Sequence, residues 1–193
     1  QAHPQTLTAV DLDTFLWTEP YLGTLKSSES LPLEASKRTF LRLQGSKKTA
    51  IAMICPPPQE SIEPFQQITR TLYQATLPVA QIFASNPEQH CLLMQDLGDT
   101  WLWQQLNPTN VTQYYTQAID LLVQCYQSKV TSNYSWPHYS KSMLADECAL
   151  FPSWYATIHC QKPLSAEELE AFNHCVEKLI VLAQAQPRVW VHR

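Results

Sequence analysis

Thr39-Phe40-Leu41-Arg42-Leu43-Gln44-Gly45-Ser46-Lys47-Lys48-Thr49-Ala50-Ile51-Ala52-Met53-Ile54 decides how this chain folds. Residues 39–43 and 49–54 are β-rich runs, and the polar link around Gly45 between them is hairpin chemistry. Cys55-Pro56-Pro57-Pro58 ends the second run, because consecutive prolines cannot donate to a ladder. A helix is expected from Ser61, with Phe65, Ile68, Leu72 and Tyr73 on one face. Residues 79–83 and 91–95 make a second strand pair, joined by a turn around Asn86-Pro87. Residues 33–98 therefore predict one antiparallel sheet with a helix packed on it.

Outward from that sheet the texture changes. Residues 1–30 are polar, with Leu12, Phe15, Leu16 and Trp17 suggesting one short amphipathic helix. Beyond Gly98 the spacing turns helical. Val111, Tyr115, Ala118, Ile119, Leu122, Cys125 and Tyr126 follow a helix that begins near Pro108. Ser165-Ala166-Glu167-Glu168 reads as a capping box opening a second long helix, which carries Leu169, Phe172, Val176, Leu179, Ile180 and Ala183 and stops at Pro187. Val189-Trp190-Val191 reads as a terminal strand. The fold class is α+β: a sheet lobe over 1–95 and a helical lobe over 96–193, joined near 95–99.

Composition narrows the function. At 193 residues, 45% apolar and 16% charged, the chain can bury a real core and is too apolar for disorder. A net charge of −4 with scattered cations argues against nucleic acid. No apolar run reaches bilayer-spanning length and no basic leader precedes an apolar stretch, so no membrane partner is expected. The chain starts at Gln1, so its natural start is expected to lie upstream. Three glycines leave no Gly-rich phosphate loop. The six cysteines lack C-x-x-C spacing, and His159-Cys160 and His174-Cys175 lack paired-ligand spacing. Free thiols in a reducing cytoplasm fit, with no metal site in this chain.

A small sheet lobe, a short junction and a helical lobe describe a bilobal nucleotide-binding layout. In it the backbone of Gln95, Asp96 and Leu97 would hydrogen-bond an adenine edge. Asp96-Leu97-Gly98-Asp99 equally suits a plain tight turn.

Several motifs here resemble the aminoglycoside-phosphotransferase-like kinases. Glu34-Ala35-Ser36-Lys37-Arg38-Thr39-Phe40-Leu41-Arg42 is similar to Asp-Ala-Ser-x-Arg-x-(Phe/Tyr)-x-Arg. Met53-Ile54-Cys55-Pro56-Pro57-Pro58-Gln59-Glu60 resembles Met-Asp-Ala-Pro-Pro-x-x-Glu. Residues 92–99 resemble Leu-Leu-x-(Glu/Gln)-Asp-Leu-Gly-Asp, and residues 147–155 resemble Glu-x-x-Leu-Phe-x-x-Trp-Tyr. Residues 186–193 resemble Gln-Pro-x-Val-x-Val-His-Arg-Asp without the final Asp. The match is closest to the branch that phosphorylates the anomeric hydroxyl of N-acetylated amino sugars such as N-acetylmuramate and N-acetylglucosamine.

The resemblance implies a protein-kinase-like bilobal fold, Mg-ATP as phosphoryl donor, an amino sugar as acceptor and a role in cell-wall sugar salvage. It implies nucleotide contacts at Ser36, Lys37, Arg38, Met53, Gln95, Asp96 and Leu97. Ser36, Lys37 and Arg38 supply backbone N–H groups and two cations towards the phosphates, or else form an exposed basic turn. Glu147 is a substrate candidate, whereas Phe151 and Trp154 are expected to pack inward with a bend at Pro152. Ile54 replaces the family's Asp, and Met53 stands where related kinases carry an ATP-pairing Lys. His192 and Arg193 would open the catalytic loop, whose Asp and metal ligands would follow Arg193, so no catalytic residue falls within this chain. The chain is therefore expected to be an inactive N-terminal part of such a kinase. The alternative is a catalytically dead nucleotide-binding or interaction module, and the codons after Arg193 separate the two.

Overall fold

A computed structural model describes residues 11–32, 37–58, 61–128 and 135–190. Five strands, Leu25–Ser30 (β1), Thr39–Gly45 (β2), Thr49–Ile54 (β3), Ile82–Asn86 (β4) and Cys91–Gln95 (β5), form one sheet in the order β1-β2-β3-β5-β4. Every neighbouring pair is antiparallel. The expected hairpin is present in unbroken register from Thr39↔Ile54 to Gln44↔Thr49, and Gly45 N–H donates to Lys48 O at 3.0 Å to close its turn.

β3 lies in the middle and is buried on both faces, which is why Ala50-Ile51-Ala52-Met53 shows no polar alternation. One face packs Leu41, Leu43, Ala50, Ala52, Cys91 and Leu93 under Phe15 and Leu22 of the N-terminal segment. The opposite face packs Ile51, Met53, Leu92 and Met94 with Ile62 and Phe65, so the start of helix Glu63–Gln74 covers it, as the sequence predicts.

Four local readings need correction. β1 was hidden in a segment read as helix plus polar chain. Leu25-Lys26-Ser27-Ser28-Glu29-Ser30 is an edge strand held by backbone pairing to β2, and its solvated charges suit an unpaired edge. The N-terminal helix is a tight 3-10 turn over Leu12–Thr18 that runs into a short α-helix, Glu19–Leu22 (α1). β4 begins at Ile82 rather than residue 79, after Pro78 and beside a bulge at Phe83. On helix Glu63–Gln74 (α2), Tyr73 is 70% exposed and Thr71 is the buried residue, its hydroxyl donating to Gln67 O at 2.8 Å.

The chain divides into two compact units, Gln1–Tyr134 and Ser135–Arg193, and the junction expected near 95–99 falls inside the first. That unit also holds Leu102–Gln105 (α3) and Val111–Gln127 (α4). α4 starts three residues later than Pro108 suggests, because Asn107 Oδ1 accepts from Thr109 and Asn110 N–H and shapes a turn first. Its predicted apolar face stays open: Tyr115, Ile119, Leu122 and Tyr126 are all more than half exposed.

The second unit holds Lys141–Leu150 (α5), a π-helix over Phe151–His159 and Ala166–Gln184 (α6). Helix α5 runs directly on through Pro152, where the sequence predicts a bend. The chain widens instead into π-type turns, with Cys160 N–H donating to Tyr155 O five residues back. The Ser165 capping box is present, with Glu168 N–H donating to Ser165 Oγ and Ser165 N–H to the Glu168 carboxylate. Those contacts hold Glu168 below the usual carboxylate range. Val176 and Ile180 are the buried positions of α6, whereas Leu169 and Leu179 face outward. Val189 and Trp190 form no strand, and Trp190 stacks on Trp136 at 4.6 Å; residues 191–193, including His192 and Arg193, lie outside the described residues.

No helix among the described residues is long and apolar enough to cross a membrane. Cys55 and Cys91 are buried, and burial, with the neighbouring Cys55, pushes the Cys91 thiol up to about 12.

Candidate functional site

Strand alternation places Phe40 and Arg42 of β2 on the same face as Met53, Ile51, Leu92 and Met94, because the register pairs Phe40↔Met53, Arg42↔Ile51, Met53↔Leu92 and Ile51↔Met94. The middle of this face is apolar. Its far end carries one charge, Arg42, whose side chain is only 17% exposed.

Arg42 answers its burial by gripping the chain just beyond β5. Its Nε–H donates to Asp96 Oδ2 at 2.9 Å and its Nη2 group to Asp99 Oδ1 at 2.7 Å. A further bond from Nη1 reaches Asp99 Oδ2 at 3.1 Å, and Glu29 Oε2 stands 4.0 Å away. Asp99 and Asp96 raise the guanidinium pKa above its ordinary value. Burial pushes the Asp96 carboxyl up, but Gly98 N–H, Arg42 and the Thr49 hydroxyl outweigh it and hold Asp96 below the usual carboxylate range. The turn that results has Gly98 at φ +78°, with Gly98 N–H on Asp96 Oδ1 at 2.9 Å.

The expected site residues fall on this frame as follows. Gln95 N–H is taken by Gln81 O at 2.8 Å. Asp96 directs its carboxylate to Arg42 rather than outward. Leu97 N–H has no hydrogen-bond partner among the described residues, and its side chain is 71% exposed. Met53 is fully buried in the apolar cluster, so its side chain is covered by protein rather than open to a ligand. At the other end of β2, Lys37 is exposed, and the Arg38 guanidinium lies over the Phe65 ring at 5.8 Å. Ser36 lies outside the described residues. Lys37 and Arg38 are thus about 20 Å along the strand from the 95–97 backbone, at roughly 3.3 Å per residue.

Glu147 sits on α5 in the second unit, half-buried, in a shallow open depression with Ser142, Met143, Asp146 and Leu150. Phe151 and Trp154 do not pack inward as expected: they are 47% and 64% exposed, and Phe151 stacks on Tyr155 and Phe172. Both residues stand on the π-helix Phe151–His159.

The phosphotransferase enzyme family description matches residues 29–193. The chain belongs to that family. Two similar proteins are the N-acetylmuramate/N-acetylglucosamine kinases of Pseudomonas aeruginosa, 33% identical over 89% of this chain, and of Pseudomonas putida, 32% identical over 92%. The protein of that name from Neisseria meningitidis is 23% identical over 81%. The chain spans about half the length of these curated relatives, from 47% to 51%.

As a phosphotransferase-family chain, its α+β sheet and helices agree with the kinase-like fold that the sequence implies. Arg42 and Asp99 fall within the family-like motifs but are not among the site residues that the sequence predicts. Arg42 was legible in principle, since a cation on the inward face of an otherwise apolar strand must find a carboxylate. Among the described residues no group of three or more His, Cys, Asp or Glu is placed to hold a metal, and Asp96 and Asp99 both direct their carboxylates to Arg42.

Proposed function

We propose that this chain is the nucleotide-binding part of an ATP-dependent sugar kinase acting on the anomeric hydroxyl of N-acetylmuramate or N-acetylglucosamine. The lobes divide at 95–99. The observation that carries the reading is the turn after β5, held by Arg42 through Asp96 and Asp99, in which the Leu97 N–H has no hydrogen-bond partner among the described residues. Adenine suits that arrangement, with its acceptor edge on the Leu97 N–H. Support for the sugar comes from the names of the relatives that align over most of the chain.

With the base at Leu97, the phosphates run towards Lys37 and Arg38. ATP supplies the γ-phosphoryl group. Among the described residues no group of three or more His, Cys, Asp or Glu is placed to hold Mg2+, and the 193 residues alone are expected not to turn over. The setting is cytoplasmic cell-wall sugar salvage.

The test is sugar-dependent ADP release by the full-length gene product, with N-acetylmuramate and N-acetylglucosamine against glucose. ADP release that none of these sugars stimulates contradicts the reading. Within it, Lys37→Ala/Arg38→Ala is expected to weaken ATP binding roughly tenfold or more while sugar affinity holds, since charge-assisted contacts to phosphate are worth about 1.5–3 kcal/mol each when desolvated. Equal ATP affinities by calorimetry return that turn to solvent.

A further inference from the structure

We propose that Arg42 is the positioning residue of the nucleotide site, holding the 96–99 turn so that the Leu97 N–H is fixed against the purine, and that this grip sets the preference for ATP over GTP. The proposal rests on reading residues 95–99 as the nucleotide hinge.

The turn has little else to hold it. Leu97 is 71% exposed, the Asp99 side chain is 77% exposed, and a Cβ on Gly98 would meet nothing within 4 Å. Its anchorage to the sheet runs through carboxylates. Asp96 takes Arg42 Nε–H and the Thr49 hydroxyl, and Asp99 takes both terminal nitrogens of Arg42. One planar fork on β2 thereby fixes two residues that lie 54 and 57 positions further along the chain. A Lys ammonium cannot reproduce that grip, because it is a point charge without the fixed fork.

Purine choice follows from hydrogen-bond polarity. The adenine ring nitrogen beside the amino group accepts a hydrogen bond, whereas the corresponding guanine nitrogen carries a proton. A fixed N–H donor welcomes the first and opposes the second, so rigidity is itself the source of discrimination. If the turn is loosened, it can shift to present a carbonyl instead, and the penalty against guanine falls.

The experiment measures ATP and GTP affinity by calorimetry on the full-length gene product, for wild type, Arg42→Lys and Asp99→Asn, with thermal unfolding and sugar affinity alongside. Arg42→Lys is expected to weaken ATP about tenfold and GTP less than about threefold, so the ATP/GTP ratio collapses, as loss of a bidentate charge-assisted pair implies. Asp99→Asn, at an exposed side chain that leaves the core untouched, should lower the ratio about threefold even if Arg42→Lys fails to fold. An unchanged ratio, or ATP and GTP losses of equal size that track the melting temperature, reduces Arg42 to a structural ion pair and overturns the proposal. A wild type that binds neither nucleotide overturns the hinge reading and this proposal together. A ratio that moves in a protein unable to phosphorylate either amino sugar supports the clamp and sinks only the sugar-kinase reading.

Discussion

Met53→Lys is expected to lower the melting temperature by roughly 6–20 °C, from a loss of about 3–5 kcal/mol for a buried charge without a partner. Met53 is fully buried among Ile51, Cys55, Ile62, Leu92 and Met94. A phosphate-pairing Lys at this place needs a carboxylate from the covering helix. α2 carries one acid, Glu63, in its exposed first turn and hydrogen-bonded to Ser61; Glu60 lies outside the described residues. The new amine should titrate well below its ordinary value of about 10.4. Its penalty is therefore absent above the unfolded pKa and grows as pH falls towards the folded one. Melting curves at pH 7 and near pH 10 should converge on wild type at the higher pH. Met53→Leu conserves volume and should cost less than about 1.5 kcal/mol. A Met53→Lys protein as stable as wild type at pH 7 would show that a carboxylate does reach this site.

Gly45→Ala is expected to cost about 3 kcal/mol or more, the upper end for overpacking, or roughly 6–12 °C in melting temperature. A Cβ there would stand 2.2 Å from Leu22 O and 2.6 Å from Leu22 Cβ. Backbone cannot step aside, because Leu22 O also accepts from Lys47 N–H at 2.9 Å, the contact that docks the N-terminal segment on the hairpin turn. Gly98→Ala is the contrast. It meets no atom within 4 Å, and its cost should be only the left-handed backbone penalty of about 1–2 kcal/mol at φ +78°. If the two variants melt together, the close approach at Gly45 is not what holds that segment.

These two sites also mark what the sequence could say. The central strands were legible because burial on both faces makes β3 and β5 continuous apolar runs, and Gly45 with Lys47 and Lys48 flagged the hairpin. β1 was not, because an edge strand of Lys, Ser and Glu is held by backbone bonds that leave no side-chain period. The open face of α4 was legible, but the π-helix after Leu150 was not: Pro152 predicts a bend, and Thr157 and Cys160 instead bond five residues back. In the candidate site, the sequence names Gln95, Asp96 and Leu97 through the hinge reading and its motif. The ion pairs from Arg42 to Asp96 and Asp99 join residues 54 and 57 positions apart, and no local spacing encodes such a partner.

The most direct measurement is the product formed by the full-length gene product from ATP and N-acetylmuramate or N-acetylglucosamine, read by phosphorus NMR. The account predicts one ADP per sugar and phosphate on the anomeric oxygen, with no product from the 193-residue chain alone. Phosphate at another hydroxyl, release of free phosphate without sugar phosphate, or turnover by the 193-residue chain itself would contradict it.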